Sequence, residues 1–78
     1  GAPDATFEEN ADGSLTVRLR GDALVYFVHL LVDVDGAEWS DNYIDLEPGT
    51  EREIAVKASR PLTESDVTIA WSLRQQAK

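Results

Sequence analysis

The stretch SLTVRLR, Ser14 to Arg20, decides the fold class. Leu15, Val17 and Leu19 alternate with Thr16, Arg18 and Arg20, a period of two rather than 3.6. Successive side chains of an extended strand point to opposite faces, so this spacing predicts a half-buried strand. Turn clusters bound it on both sides. Asn10-Ala11-Asp12-Gly13 precedes it, with an Asp-Gly pair that tolerates positive φ, and Gly21-Asp22 follows. Ala5 to Glu9, ahead of the first cluster, reads as a short edge strand.

Ala23 to Val34 is apolar almost throughout, with only His29 as a polar interruption before Asp33. Its β-branched and aromatic residues favour strand over helix. A strand that is apolar on both faces needs cover on both. One face meets the core of a domain this small. The other, Val25, Phe27 and Leu31 or the alternate set, is expected to face a neighbouring domain.

Shorter signals complete the chain. Tyr43 to Leu46 reads as a strand, and Pro48-Gly49 as a turn with Pro fixing φ and Gly supplying the positive-φ position. Glu53 to Ala58 alternates cleanly. Ser59 to Asp66 reads as a polar loop containing Pro61. Val67 to Leu73 is a last strand with Val67, Ile69, Trp71 and Leu73 on one face, which makes Trp71 a core residue. Gln75 to Lys78 reads as a frayed tail. The expected architecture is all-β: one domain over residues 1–78, an immunoglobulin-like sandwich of about six to seven antiparallel strands.

Composition narrows the function classes. The 78 residues include 15 acidic and 7 basic side chains, a formal net charge of −8. Such a surface repels phosphate backbones and anionic lipid, so neither nucleic acid nor membrane is an expected partner. Without cysteine there is no disulfide framework and no thiolate zinc site. No cofactor-binding signature is present.

Asp33, Asp35, Glu38, Asp41, Asn42 and Asp45 supply many oxygens, which calcium needs. The EF-hand spacing fails, because placing Gly36 at the sixth loop position puts Leu31 first and Asn42 twelfth. Side chains capping their own turns, or an irregular oxygen site, remain as readings. Carboxylate pairs of the glycosidase kind arise by chance among so many acids, and so small a core leaves no room for a substrate cleft. His29 is a structural histidine, and no serine lies in a nucleophile pattern. No catalytic or metal-binding residue is therefore assigned. Trp39 and Trp71 are candidate sugar contacts, with Tyr26 or Tyr43 able to assist, since exposed rings stack on pyranose faces; Trp39 alternatively plugs an open end of the sandwich.

The segment YFVHLLVDVDGAEWSDNYIDLEPGTEREIAV, Tyr26 to Val56, resembles the C-terminal immunoglobulin-like domain of β-mannosidases, of glycoside hydrolase family 2, and of the related exo-β-glucosaminidases. The resemblance rests on Ser40, Asp41, Asn42, Tyr43, Asp45, Leu46, Pro48 and Gly49, with Ile44 where the family usually has Phe and Trp39 where it often has Phe. Leu62 to Ile69 is similar to the family's last loop and strand, and the likeness runs from Leu15 onward. It implies a non-catalytic accessory domain from the C-terminus of a larger enzyme, partnered by that enzyme's other domains, with carbohydrate as an alternative partner. The family's two catalytic glutamates lie on a separate barrel domain, and no position here matches them. Ile44 and Leu46 are expected in the core, with Asp41 and Asn42 organising the turn before them.

Overall fold

The computed structural model describes residues 3–72. Leu73, expected on the last strand, and the expected tail from Gln75 lie outside them. Seven strands form two antiparallel sheets. They are β1 (Asp4–Glu9), β2 (Leu15–Arg20), β3 (Val25–Val32), β4 (Glu38–Trp39), β5 (Ile44–Leu46), β6 (Glu51–Lys57) and β7 (Val67–Ser72). One sheet has the order β1-β2-β6-β4 and the other β5-β3-β7. The two-residue β4, pairing with Lys57 and Val56, carries too few residues to show a period and has no counterpart in the sequence reading.

The alternation in β2 works as its spacing dictates. Leu15, Val17 and Leu19 are fully buried, while Arg18 points outward between Glu8 and Glu53, at 2.9 and 2.8 Å. These are exposed pairs, so they order the outer face more than they stabilise it. Ile54 and Val56 of β6 extend the first sheet's inner layer. Val25, Val28 and Leu30 of β3, with Ile44 and Leu46 of β5, supply the facing layer.

Strand β3 departs from strict alternation. Val25 and Val28 are both buried although three positions apart, and both face β5, opposite Leu46 and Ile44. A bulge between them shifts the register, and Phe27 takes φ of +54° within it. An extra residue in a strand reverses the side-chain parity beyond it. Neither parity set of the sequence reading is therefore the outer one: Val25 belongs to the core, and Phe27 and Leu31 face outward.

Strand β7 also differs from expectation. Val67 and Ile69 pack against the core only in part, and Trp71 is 37% exposed rather than buried. Strand β7 pairs with β3 on one side, and the bulge displaces the register between Tyr26 and His29 just where Trp71 lies. The ring therefore sits at the margin of the core.

Gly13 and Gly49 occupy turns that need glycine. Gly13 has φ of +91°, and a Cβ there would meet the Pro61 backbone at 3.3 Å. Gly49, at φ of +76°, occupies the third position of the turn closed by the Thr50 N–H on the Glu47 carbonyl at 3.0 Å.

The segment from Ser59 to Asp66 is not only a polar loop. Leu62 is 2% exposed and joins the core, while its N–H donates to the Gly13 carbonyl at 3.0 Å. Asp66 ties the segment down. It accepts from both terminal nitrogens of Arg60, at 2.9 and 3.1 Å, and from the Thr63 N–H at 2.9 Å. The Arg60 guanidinium, with the Thr63 amide second, holds this carboxyl at about 2 against an ordinary value of 3.8. A lowered folded-state pKa stabilises the fold above the unfolded value and ceases to do so as pH falls through the folded one. Stability is thus expected to decline as pH falls from 3.8 towards about 2. Urea midpoints across that window should fall less steeply for Asp66→Asn than for the parent. Parallel curves would remove Asp66 from the account.

Candidate functional site

The segment Ser40–Tyr43 carries the chain from one sheet to the other, and its polar side chains bind backbone at each stage. The Ser40 N–H donates to the Ala55 carbonyl at 2.8 Å, and the Ser40 hydroxyl oxygen accepts from the Ala55 N–H at 2.9 Å. A side chain thus closes the β4 ladder where backbone pairing stops. Asp41 accepts from the Asn42 N–H at 2.8 Å and from Arg52 at 3.3 Å. Asn42 then engages the second sheet. Its Oδ1 accepts from the Leu30 N–H at 2.9 Å and its Nδ2 donates to the Leu30 carbonyl at 3.4 Å. One amide thereby serves both backbone groups of a buried strand residue, as a neighbouring strand would. Tyr43 follows at φ of +56°, and Ile44 and Leu46 enter the core. Asp45 Oδ1 accepts from the Phe27 N–H at 3.1 Å, which satisfies the bulge. Pro48 and Gly49 then form the reversing turn, where the Gly49 N–H also donates to the Gly21 carbonyl at 2.9 Å.

The oxygen-rich residues are thus spread over separate tasks. Asp41 faces Arg52, Asp45 faces Phe27, and Glu38 lies 3.6 Å from Lys57. Among the described residues no group of three or more His, Asp or Glu side chains has the arrangement to hold a metal ion.

The two outer faces have opposite character. That of β1-β2-β6-β4 carries Glu8, Arg18, Glu53 and Lys57. Around β5-β3-β7 lie Leu24, Phe27, Leu31, Tyr43 and Trp71, five of the six exposed large apolar residues among those described. The strands β3, β5 and β7 contain no Lys or Arg. Phe27 is 58% exposed and Tyr43 65%. These two are the only non-glycine residues at positive φ among those described. His29 joins them: its ring stacks on Tyr43 with centroids 4.6 Å apart, and its Nδ1–H donates to the Phe27 carbonyl at 2.9 Å. The histidine is half-buried on the outer face, outside the core. Sequence reasoning listed Phe27 and Tyr43 but had no signal for their strain, which arises where the bulge and the sheet crossing bring β3 and β5 together.

Two open clefts flank Trp39, which is 37% exposed. One, of about 310 Å³, lies against Asp12, Ser14, Lys57 and the edge of β6. The other, of about 520 Å³, runs over the end of β3 between Trp39 and Tyr43, with Asp33 and Thr68 at its sides. Trp39 borders both clefts and Trp71 neither, so the two candidate sugar contacts do not share either one.

The fold and the crossing segment agree with the comparison to known families. The mannosidase family model described as an Ig-fold domain matches residues 2–75. No curated protein matches the chain in sequence. The match extends over nearly the whole chain and agrees with the two-sheet sandwich, and the chain belongs to the Ig-fold domain family of mannosidases.

Proposed function

We propose that this domain is the accessory β-sandwich of a β-mannosidase-like glycoside hydrolase, placed at the C-terminal end of the polypeptide. It docks onto the neighbouring domains through the outer face of β5-β3-β7. The observation that carries this reading is Phe27. Its ring is 58% exposed, and its backbone is held at φ of +54° by Asp45 and the bulge. A bulky side chain in the left-handed region costs on the order of 1–2 kcal/mol. Burial within the isolated domain does not offset that cost. Burial against a second surface does, and such strain is typical of residues held ready for contact.

Phe27→Gly separates the two situations. In the domain alone the substitution removes the strain and loses little burial, so the melting temperature should hold or rise. In the intact hydrolase it should fall, because the docked ring is lost. A drop in the isolated domain, or no change in the intact enzyme, would count against docking through this face.

A second reading, a carbohydrate-binding module, is favoured by one observation: Trp39 walls two solvent-open clefts with polar groups beside it.

A further inference from the structure

We infer that the cleft between Trp39 and Tyr43 is a binding subsite for a neutral pyranoside. The inference rests on the carbohydrate-binding reading and makes it specific; it does not depend on docking. Leu31, on the cleft, lies four residues along β3 from Phe27, roughly 13 Å at strand rise. The cleft shares Leu31 and Tyr43 with the apolar face, so a partner that covers the whole face competes with the ligand, whereas one confined to Phe27 does not.

Size and lining come first. The cleft of about 520 Å³ falls inside the range of roughly 300–1,000 Å³ usual for small-molecule sites. Two aromatic rings wall it, and they come from either side of the sheet crossing: Trp39 from β4 and Tyr43 from the residue just before β5. Leu31 adds apolar surface, and Asp33 and Thr68 add polar groups. Asn42 also lines it, but its amide is engaged with Leu30 and so braces the wall.

Pre-organisation comes second. The Tyr43 ring is backed by His29 in a stacked arrangement 18° from parallel. The His29 ring is itself held by the Phe27 carbonyl at 2.9 Å. An aromatic wall braced in this way loses little side-chain freedom when a ligand arrives.

The chemistry of the walls selects the ligand class. A pyranose has C–H faces that lie against aromatic rings and hydroxyls around its rim. Asp33 accepts hydrogen bonds from such hydroxyls, and Thr68 both donates and accepts. Among the described residues no Lys or Arg lines the cleft, so these supply no countercharge for a uronate or sugar phosphate. The neighbouring cleft of about 310 Å³ is the poorer candidate because its polar groups already have partners. Asp12 accepts from Ser14, Ser40 from Ala55, and Glu38 faces Lys57.

The test is a titration of the isotope-labelled chain with mannobiose, with cellobiose as a second neutral sugar and glucuronate as the anionic control. Saturable shifts are expected at the Trp39 indole and at the amides of Leu31, Asp33, Tyr43 and Thr68, with a midpoint on the order of 1 mM for at least one neutral disaccharide. Trp39→Ala should raise that midpoint by at least about tenfold, a loss of about 1.4 kcal/mol. Asp33→Ala, at an exposed side chain outside the core, should weaken binding while leaving the Leu15 and Ile54 amides in place. Saturable shifts that centre on the Trp71 indole or on Lys57 would overturn the assignment, as would no saturable shift with either neutral sugar. Equal binding of glucuronate would overturn the neutral class. None of these outcomes bears on Phe27, so the docking reading stands or falls by its own test.

Discussion

Leu62→Ala is expected to destabilise the domain by about 3 kcal/mol, as much as truncating a leucine of a central strand. The side chain is 2% exposed and packs into the cluster formed by β2, β3, β5 and β6. Its removal costs the transfer energy of the lost atoms and leaves a cavity that the two sheets close only in part. The whole stability of a chain this size is on the order of 4–12 kcal/mol, so the loss is a large share of it. Urea denaturation reads the effect as a lowered midpoint with an unchanged slope. Leu24→Ala, at an exposed position, is the control and should stay within about 0.5 kcal/mol of the parent. If the two variants unfold alike, Leu62 is not a core residue.

Asn42→Ala carries the next largest effect, a loss of about 2 kcal/mol. The Leu30 N–H lies under a fully buried residue, and Asn42 supplies its acceptor. Alanine leaves that donor and the Leu30 carbonyl without the amide that joins them to the crossing segment. For a domain of this size the loss corresponds to a fall in melting temperature of about 8–16 °C. Asn42→Asp keeps the acceptor but sets a carboxylate against the Leu30 carbonyl, so it should rescue only part of the loss. Full stability in Asn42→Ala would mean that water serves Leu30 as well as the amide does.

Both predictions fall where pattern reading stops. Leu15, Val17 and Leu19 announce their burial because three apolar residues at a period of two leave one consistent strand orientation. Ile44 and Leu46 do the same over a shorter span, and both are buried as expected. Leu62 is a single apolar residue among Pro, Thr, Glu and Ser, and one residue has no period. It becomes core because its N–H is tied to Gly13 and because Asp66 holds the loop against the sheet edge.

The outer face of β3 shows the same division. Its apolar character is plain in the sequence, and so is the need for a second cover. Which residues turn outward depends on the bulge, and the bulge depends on Asp45 reaching the Phe27 N–H from another strand. A local pattern holds no record of that contact. Trp71 illustrates the converse, since its parity agrees with Ile69 while its place beside the shifted register of β3 leaves it 37% exposed.

The candidate sugar site was half legible. Trp39 is conspicuous in the sequence as a large ring beside a polar turn, but Tyr43, Asp33 and Thr68 join it only in three dimensions. They come from the residue before β5, the residue after β3 and from β7, and the fold brings them to one cleft. The amino-acid sequence by itself determined the strand periods, the turns and the family motif, because each depends on residues near one another in the chain. The tertiary structure alone decided the bulge, the burial of Leu62 and the walls of the cleft, because these depend on hydrogen bonds and packing between residues far apart in it.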